Sequence, residues 1–233
     1  MPNEVESNDF LDRFLRSNGP GAHHLTFKVP DIAQALDHCR AHGIEPVGVY
    51  LDDPYWMEAF LHPKQATGVV VQLAQSPADY TTPPPEGFPD HRRDTLDGST
   101  GRPTAASLVR VTHAVPRLED GVALFAGLLG GLVEDRGEQP GYHWLDLRWD
   151  GPLALRLVAP TAHPAGRDLT EWIGDRPGRV HHVTFVAGSP DRIAGAGPRP
   201  EDLAGALSGT DAMVVEPEDN LGLRLVVTPP LLR

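Results

Sequence analysis

Two adjacent histidine pairs, His23-His24 and His181-His182, carry the side chain best suited to hold a metal ion or move a proton near neutral pH. Each pair opens a hydrophobic stretch, Leu25-Thr26-Phe27 in one case and Val183-Thr184-Phe185 in the other. In an extended strand successive side chains point to opposite faces. His24, Thr26 and Lys28 then share one face, and His23, Leu25, Phe27 and Val29 the other. By this parity His24 and His182 stand on a polar face, while His23 and His181 face a covering helix and read as structural.

The pairs belong to a repeat. Segment 168–185 aligns with segment 10–27 without a gap, matching Leu169 to Leu11, both histidine pairs, and Thr184-Phe185 to Thr26-Phe27. A duplication of this kind requires both copies to fold alike.

The elements that would position these residues follow from periodicity. Pro30-Asp31 opens a helix whose apolar residues Ile32, Ala35, Leu36 and Cys39 fall at i, i+3, i+4 and i+7 before Gly43. Cys39 is therefore a core residue, and His38 and His42, four apart, lie on the solvated helix face. Strands are expected near 45–51, 56–62 and 68–75, giving the order βαβββ. In the last strand Gln72 shares the face of His24 if the two strands are neighbours. A second βαβββ unit starts at Leu108, has a helix with Leu118, Val122, Phe125 and Leu129 on one side, and continues in strands near 132–135, 142–150 and 153–159. A third starts at Val180, reads 188–199 as a loop, and has a weaker helix near 200–207 and strands near 212–216 and 222–227.

The expected organisation is a connector with a short helix over 1–20, a module over 21–77, a Pro/Gly-rich linker over 78–104, a module over 105–160, a connector over 161–179 and a module over 180–233. The same parity places Arg110 and Arg156 on the polar face of the second unit, and His182 and Arg224 on that of the third. Guanidinium has no lone pair to give a metal, and three converging arginines suit a carboxylate, phosphate or sulfate. Each arginine could equally pair with an acid such as Asp146 or Glu216, and the sequence leaves both readings open. Asp146 is the nearest candidate for a catalytic carboxylate in the second unit.

Bulk composition narrows the function classes. With 233 residues and 40% hydrophobic content, the chain can bury a sizeable core, and 24 Gly with 24 Pro favour many short strands and turns. A net charge of -12 disfavours nucleic acid and anionic lipid as partners. Cys39 is the only cysteine, so no internal disulfide can form. The acidic start MPNEVESNDF is not a signal peptide, and no apolar run is long enough for a membrane span, so the expected location is the cytoplasm. No GxSxG elbow, Walker A loop, dinucleotide fingerprint, HExxH or paired CxxC occurs.

Three βαβββ units, the paired histidines opening two of them, and the run Phe60-Leu61-His62-Pro63-Lys64 before Gly68-Val69-Val70-Val71-Gln72-Leu73 resemble the vicinal oxygen chelate superfamily. That superfamily includes glyoxalase I, bleomycin-resistance proteins, extradiol dioxygenases and methylmalonyl-CoA epimerase. Residues 1–77 are most similar to the second half of the epimerase. The resemblance implies an α+β fold of three βαβββ modules with mixed sheets curled into cups. It implies a divalent metal held by His24 from the first strand and Gln72 from the last, where the epimerase has glutamate. Glutamine can coordinate through its carbonyl but brings no charge and cannot act as a base. Lys64 would reach a substrate phosphate. The implied activity is that of a metal-assisted isomerase or lyase moving a proton next to a carbonyl or thioester. The alternative is a non-catalytic binding or resistance protein that sequesters a small anionic ligand. An odd number of modules predicts a homodimer through two first modules, which brings two copies of His24 and Gln72 together. The likeness of the first residues to the segment between the two epimerase halves implies that Met1 is an internal methionine of a longer four-module protein, or that the lineage lost a first module.

Overall fold

The computed structural model describes residues 15–16, 19–77, 106–151, 153–188, 197–198 and 212–229. The linker expected over 78–104 and the helix expected near 200–207 lie outside these residues. Among the described residues, twelve strands fall into two mixed sheets that do not close into barrels.

The first sheet holds β1 (His24–Lys28), β2 (Val47–Tyr50), β3 (Met57–Leu61) and β4 (Val70–Gln75) in the order β1-β4-β3-β2. Strands β1 and β4 run parallel, and β3 is antiparallel to both β4 and β2. Helix α1 (Ile32–Ala41) makes the parallel crossover. Asp31 caps it by accepting from the Gln34 amide at 3.0 Å, and Gly43 ends it with φ near 75°. Its buried residues Ile32 and Leu36 pack on Ala59 and Met57 of β3, and Cys39 is buried in the main core.

The second sheet repeats that order twice. One half is β5 (Ala106–Ala114), β8 (Ala154–Pro160), β7 (Tyr142–Arg148) and β6 (Leu132–Gln139). The other is β9 (Arg179–Ala187), β12 (Leu225–Thr228), β11 (Met213–Val215) and β10 (Gly197–Pro198). The halves join where the two first strands, β5 and β9, pair antiparallel. The fold is thus α+β: two βαβββ modules and a third whose four strands, among the described residues, follow the same order. Strand β10 lies in the segment read from sequence as loop. Helix α2 (Leu118–Val122) widens into a π turn over Ala123–Leu128. Helix α3 (Arg167–Ile173) precedes β9, within the segment that repeats residues 10–27.

One core connects the sheets. Leu25, Phe27, Val71 and Leu73 of the first sheet belong to the same cluster as Leu124, Phe125 and Leu128 of the α2 region and Val111, Leu155 and Leu157 of the second sheet. Phe125 is fully buried, with Phe27 at 6.2 Å and the His113 ring edge-on at 5.7 Å. Backbones also meet directly. Gly68, at φ +84°, lies against Gly178, and Gly222, at φ +78°, lies against Pro20 and Gly21, with no room for a Cβ at either glycine. His113 Nε2 donates to the Thr67 carbonyl oxygen at 2.8 Å, so a fully buried side chain of β5 anchors the β3–β4 turn.

Candidate functional site

Two polar faces carry the residues singled out by parity. On the first sheet, His24 is in register with Val70 and Thr26 with Gln72, so His24, Thr26 and Gln72 lie on one face of neighbouring strands. Gln72 is only 7% exposed, and its whole amide is engaged. Its Oε1 accepts from the Thr26 hydroxyl at 2.6 Å, and its Nε2 donates to Glu58 Oε2 at 2.6 Å. The Trp56 indole donates to the same Glu58 oxygen at 2.7 Å. His24 turns its Nδ1 toward His23 Nδ1, 2.9 Å away. Lys64 is exposed in the β3–β4 turn, and its ammonium makes no ion pair among the described residues.

On the second sheet, register brings Arg110, Thr112, Arg156, Asp146, His182 and Thr184 to one face: Thr112 is opposite both Arg156 and His182, Arg110 opposite Thr184, and Asp146 opposite Arg156. Arg156 forms a bidentate pair with Asp146, both bonds at 2.6 Å, and lies 4.3 Å over the Trp144 ring. Arg110 stands 4.0 Å from the same carboxylate. Burial, and then the charge of Arg156, lower the Arg110 pKa to about 10 despite Asp146.

The third arginine occupies a different place from the one parity gave it. Thr26 pairs with Gln72, Thr112 with Arg156 and Thr184 with Val226. Val226, not Arg224, is therefore the counterpart of Gln72 and Arg156. Arg224 stands two residues earlier, because counting in twos along a strand fixes the face but not the position along it. There its Nε donates to Glu216 at 2.9 Å and its Nη1 donates to His181 Nε2 at 3.0 Å.

That contact sets the protonation of the histidine pair. Guanidinium only donates, so His181 Nε2 accepts and the neutral ring carries its proton on Nδ1. His181 Nδ1 then donates to His182 Nδ1 at 2.7 Å, and His182 Nε2–H donates to the Thr112 hydroxyl at 3.1 Å. His182 is fully buried, and its pKa is pushed well down, first by burial, then by His181, Arg110, Arg224 and Arg156. All three arginines thus act on one imidazole. His181, read from sequence as a helix-facing structural residue, is a link in this chain, with its ring edge-on to Trp172 at 5.3 Å.

Thr112 and Glu58 were not singled out from the sequence, although Thr112 lies two residues beyond Arg110 and Glu58 two before Phe60 on a strand already drawn. Trp144 shares the parity of Asp146, and Trp56 that of Glu58, whereas Trp172 lies in a helix where strand parity does not apply.

Within one chain these donors do not fit a divalent cation. Gln72 Oε1 holds the Thr26 proton, and Glu58 Oε2 receives two N–H groups. His182 accepts on one ring nitrogen and donates from the other, among guanidinium groups. Among the described residues no group of three His, Cys, Asp or Glu side chains is placed to hold a metal ion. No helix among them is long and apolar enough to cross a membrane.

No family model matches the chain, and no curated protein matches it. Solved structures do match. A hypothetical protein from Staphylococcus aureus is 10% identical, with a TM-score of 0.53 over 97% of this chain and 74% of its own. The 2,2',3-trihydroxybiphenyl 1,2-dioxygenase of Sphingomonas wittichii is 13% identical, with a TM-score of 0.52 over 89% of this chain and 70% of its own. A methylmalonyl-CoA epimerase from Mycobacterium tuberculosis is 16% identical and matches at a TM-score of 0.43 over 61% of this chain and 97% of its own. The repeated strand order, the antiparallel joining of two first strands and the likeness to the dioxygenase together identify the fold as that of the vicinal oxygen chelate superfamily.

Proposed function

We propose that the chain is a small-molecule-binding protein whose ligand surface is the polar face of the second sheet, and that its ligand is anionic. The observation that carries this reading is the convergence of Arg110, Arg156 and Arg224 around one buried neutral histidine, with two carboxylates, Asp146 and Glu216, in contact with them. Bidentate guanidinium groups held by carboxylates are preformed receptors for oxyanions, because a ligand carboxylate or phosphate exchanges with the resident acid without reorganising the donors. In this reading Arg110 and Arg156 contact the ligand, His182 and Thr112 form the neutral floor, and Arg224 orients that floor through His181. The test is calorimetric titration with succinate and inorganic phosphate. Asp146→Asn removes the competing carboxylate and should tighten binding about tenfold, the equivalent of roughly 1.4 kcal/mol. Arg110→Gln should abolish binding at this face. Anion affinity unchanged in both variants would refute the proposal.

A second reading, a metal-assisted isomerase or lyase, draws on His24 and Gln72 sharing one face of the first sheet. It needs a second copy of the chain to add donors, through a homodimer that pairs two first modules. Stoichiometric divalent metal in protein purified without a His tag, together with uptake of deuterium from heavy water into a carbonyl or thioester substrate, would favour it. Metal-free protein that still binds succinate or phosphate would favour the binder.

A further inference from the structure

The first and third modules meet about a local two-fold relation. The segment before β1 (Pro20, Gly21) lies against Gly222 before β12, and Gly178 before β9 lies against Gly68 before β4. Under the alignment of 10–27 with 168–185, and of β4 with β12 by register, these contacts are two copies of one contact. A cleft of about 130 Å³ lies between them, lined by matched residues from both modules: His23 and His181, Val69 and Leu223. This is smaller than the ~300 Å³ at which drug-sized ligand pockets begin, so it suits a small oxyanion or the acidic end of a larger molecule.

The walls match in backbone but not in charge. On the third-module side the cleft is lined by Arg176 and Arg179, whose counterparts in the first module are Asn18 and Gly21. Among the described residues no Asp or Glu lines it, although the chain carries a net charge of -12. Arg179 lies 4.0 Å over the Trp172 ring and donates only weakly, at 3.5 Å, to the Trp172 carbonyl oxygen. Neither Arg176 nor Arg179 pairs with a carboxylate among the described residues, in contrast to Arg156 and Arg224. The two guanidinium groups are close enough that Arg176 helps burial lower the Arg179 pKa. Two like charges held together at a cleft, one of them flattened on an indole, are unfavourable unless an anion bridges them.

We infer that this inter-module cleft is a second anion site, taking a carboxylate or phosphate group between Arg176 and Arg179, separate from the arginine face of the second sheet. The experiment is calorimetric titration of the full chain with inorganic phosphate and, separately, with succinate, in wild type and in Arg176→Gln, Arg179→Lys and Arg110→Gln variants. The expected result is a site that persists in Arg110→Gln, weakens at least tenfold in Arg176→Gln, and weakens less in Arg179→Lys, which keeps the charge but loses the planar fork. Binding of phosphate alone or of succinate alone assigns the class of anion and supports the site. Arg176 is half-buried and forms no ion pair among the described residues, so its variant should keep the wild-type melting temperature, which circular dichroism checks. Absence of any binding in Arg110→Gln, or binding there that Arg176→Gln leaves unchanged, overturns the inference. Loss of binding only in Arg110→Gln would instead leave the face of the second sheet as the sole site.

Discussion

Three buried histidines set the acid response of the protein. Burial pushes His113 down to about 4, against the opposing bond to Thr67. Burial, then Arg224 and Arg179, push His181 down to about 3. His182 is likewise held neutral. In the unfolded chain each would titrate near 6.5. A group with a lowered folded pKa binds its proton in the unfolded state first, so its stabilisation is complete above about pH 6.5 and is lost as pH falls toward about 4 and about 3. Each histidine contributes up to ~1.4 kcal/mol per pH unit across that window. Urea midpoints should therefore be level from about pH 8 to about pH 7 and fall steadily below about pH 6. His113→Asn should make that fall shallower. A midpoint that stays level to about pH 5 would contradict the neutral assignment of all three. The residue types were legible in the sequence, but their protonation was not, since it depends on an arginine 43 residues away donating to His181.

At the scale of elements, strands and helices follow hydrophobic periodicity closely where one face is buried. The spacing of Ile32, Leu36 and Cys39 predicts α1, and all three are buried. The run Leu118, Val122, Phe125 and Leu129 predicts the α2 region, but not its π turn, which turns Phe125 into the core between the sheets. Phe125→Ala should cost about 3–5 kcal/mol in urea unfolding, because the cavity would open at the junction of both sheets where neither can collapse alone. Strand β10 escaped detection because a two-residue Gly-Pro bridge has no alternation to read. Gly178→Ala tests the junction of modules: its Cβ would press on the Thr67 and Ala114 carbonyl oxygens, and a loss of about 1–3 kcal/mol is expected from the forced backbone shift. A neutral outcome would mean that the first module does not depend on that contact.

At the scale of the whole molecule, the two sheets differ in one respect that follows from counting modules. In the second sheet the first strands β5 and β9 pair with each other, whereas the outer edge of β1 has no strand partner among the described residues. An edge of this kind is a template for another strand. We propose that two copies pair through β1 as β5 pairs with β9, which would bring two His24 and two Gln72 side chains to one centre. Light scattering at micromolar concentration should then give twice the chain mass, and Thr26→Pro, which removes a backbone N–H within β1, should give the monomer. Monomeric wild-type protein would end this proposal and, with it, the donor set of the metal-assisted reading.

The sequence by itself determined the fold class, because duplicated histidine pairs and alternating apolar residues leave few other ways to bury this chain's hydrophobic surface. It also determined which face Arg110 and Arg156 take, since strand parity is a local property. Only the tertiary structure decided which arginines hold acids, that Val226 rather than Arg224 matches Gln72, and that Arg176 and Arg179 line a cleft with no carboxylate among the described residues. Those outcomes depend on register between strands and on the packing of one module against another, where a shift of two residues keeps each side chain on its face but changes its cross-strand partner.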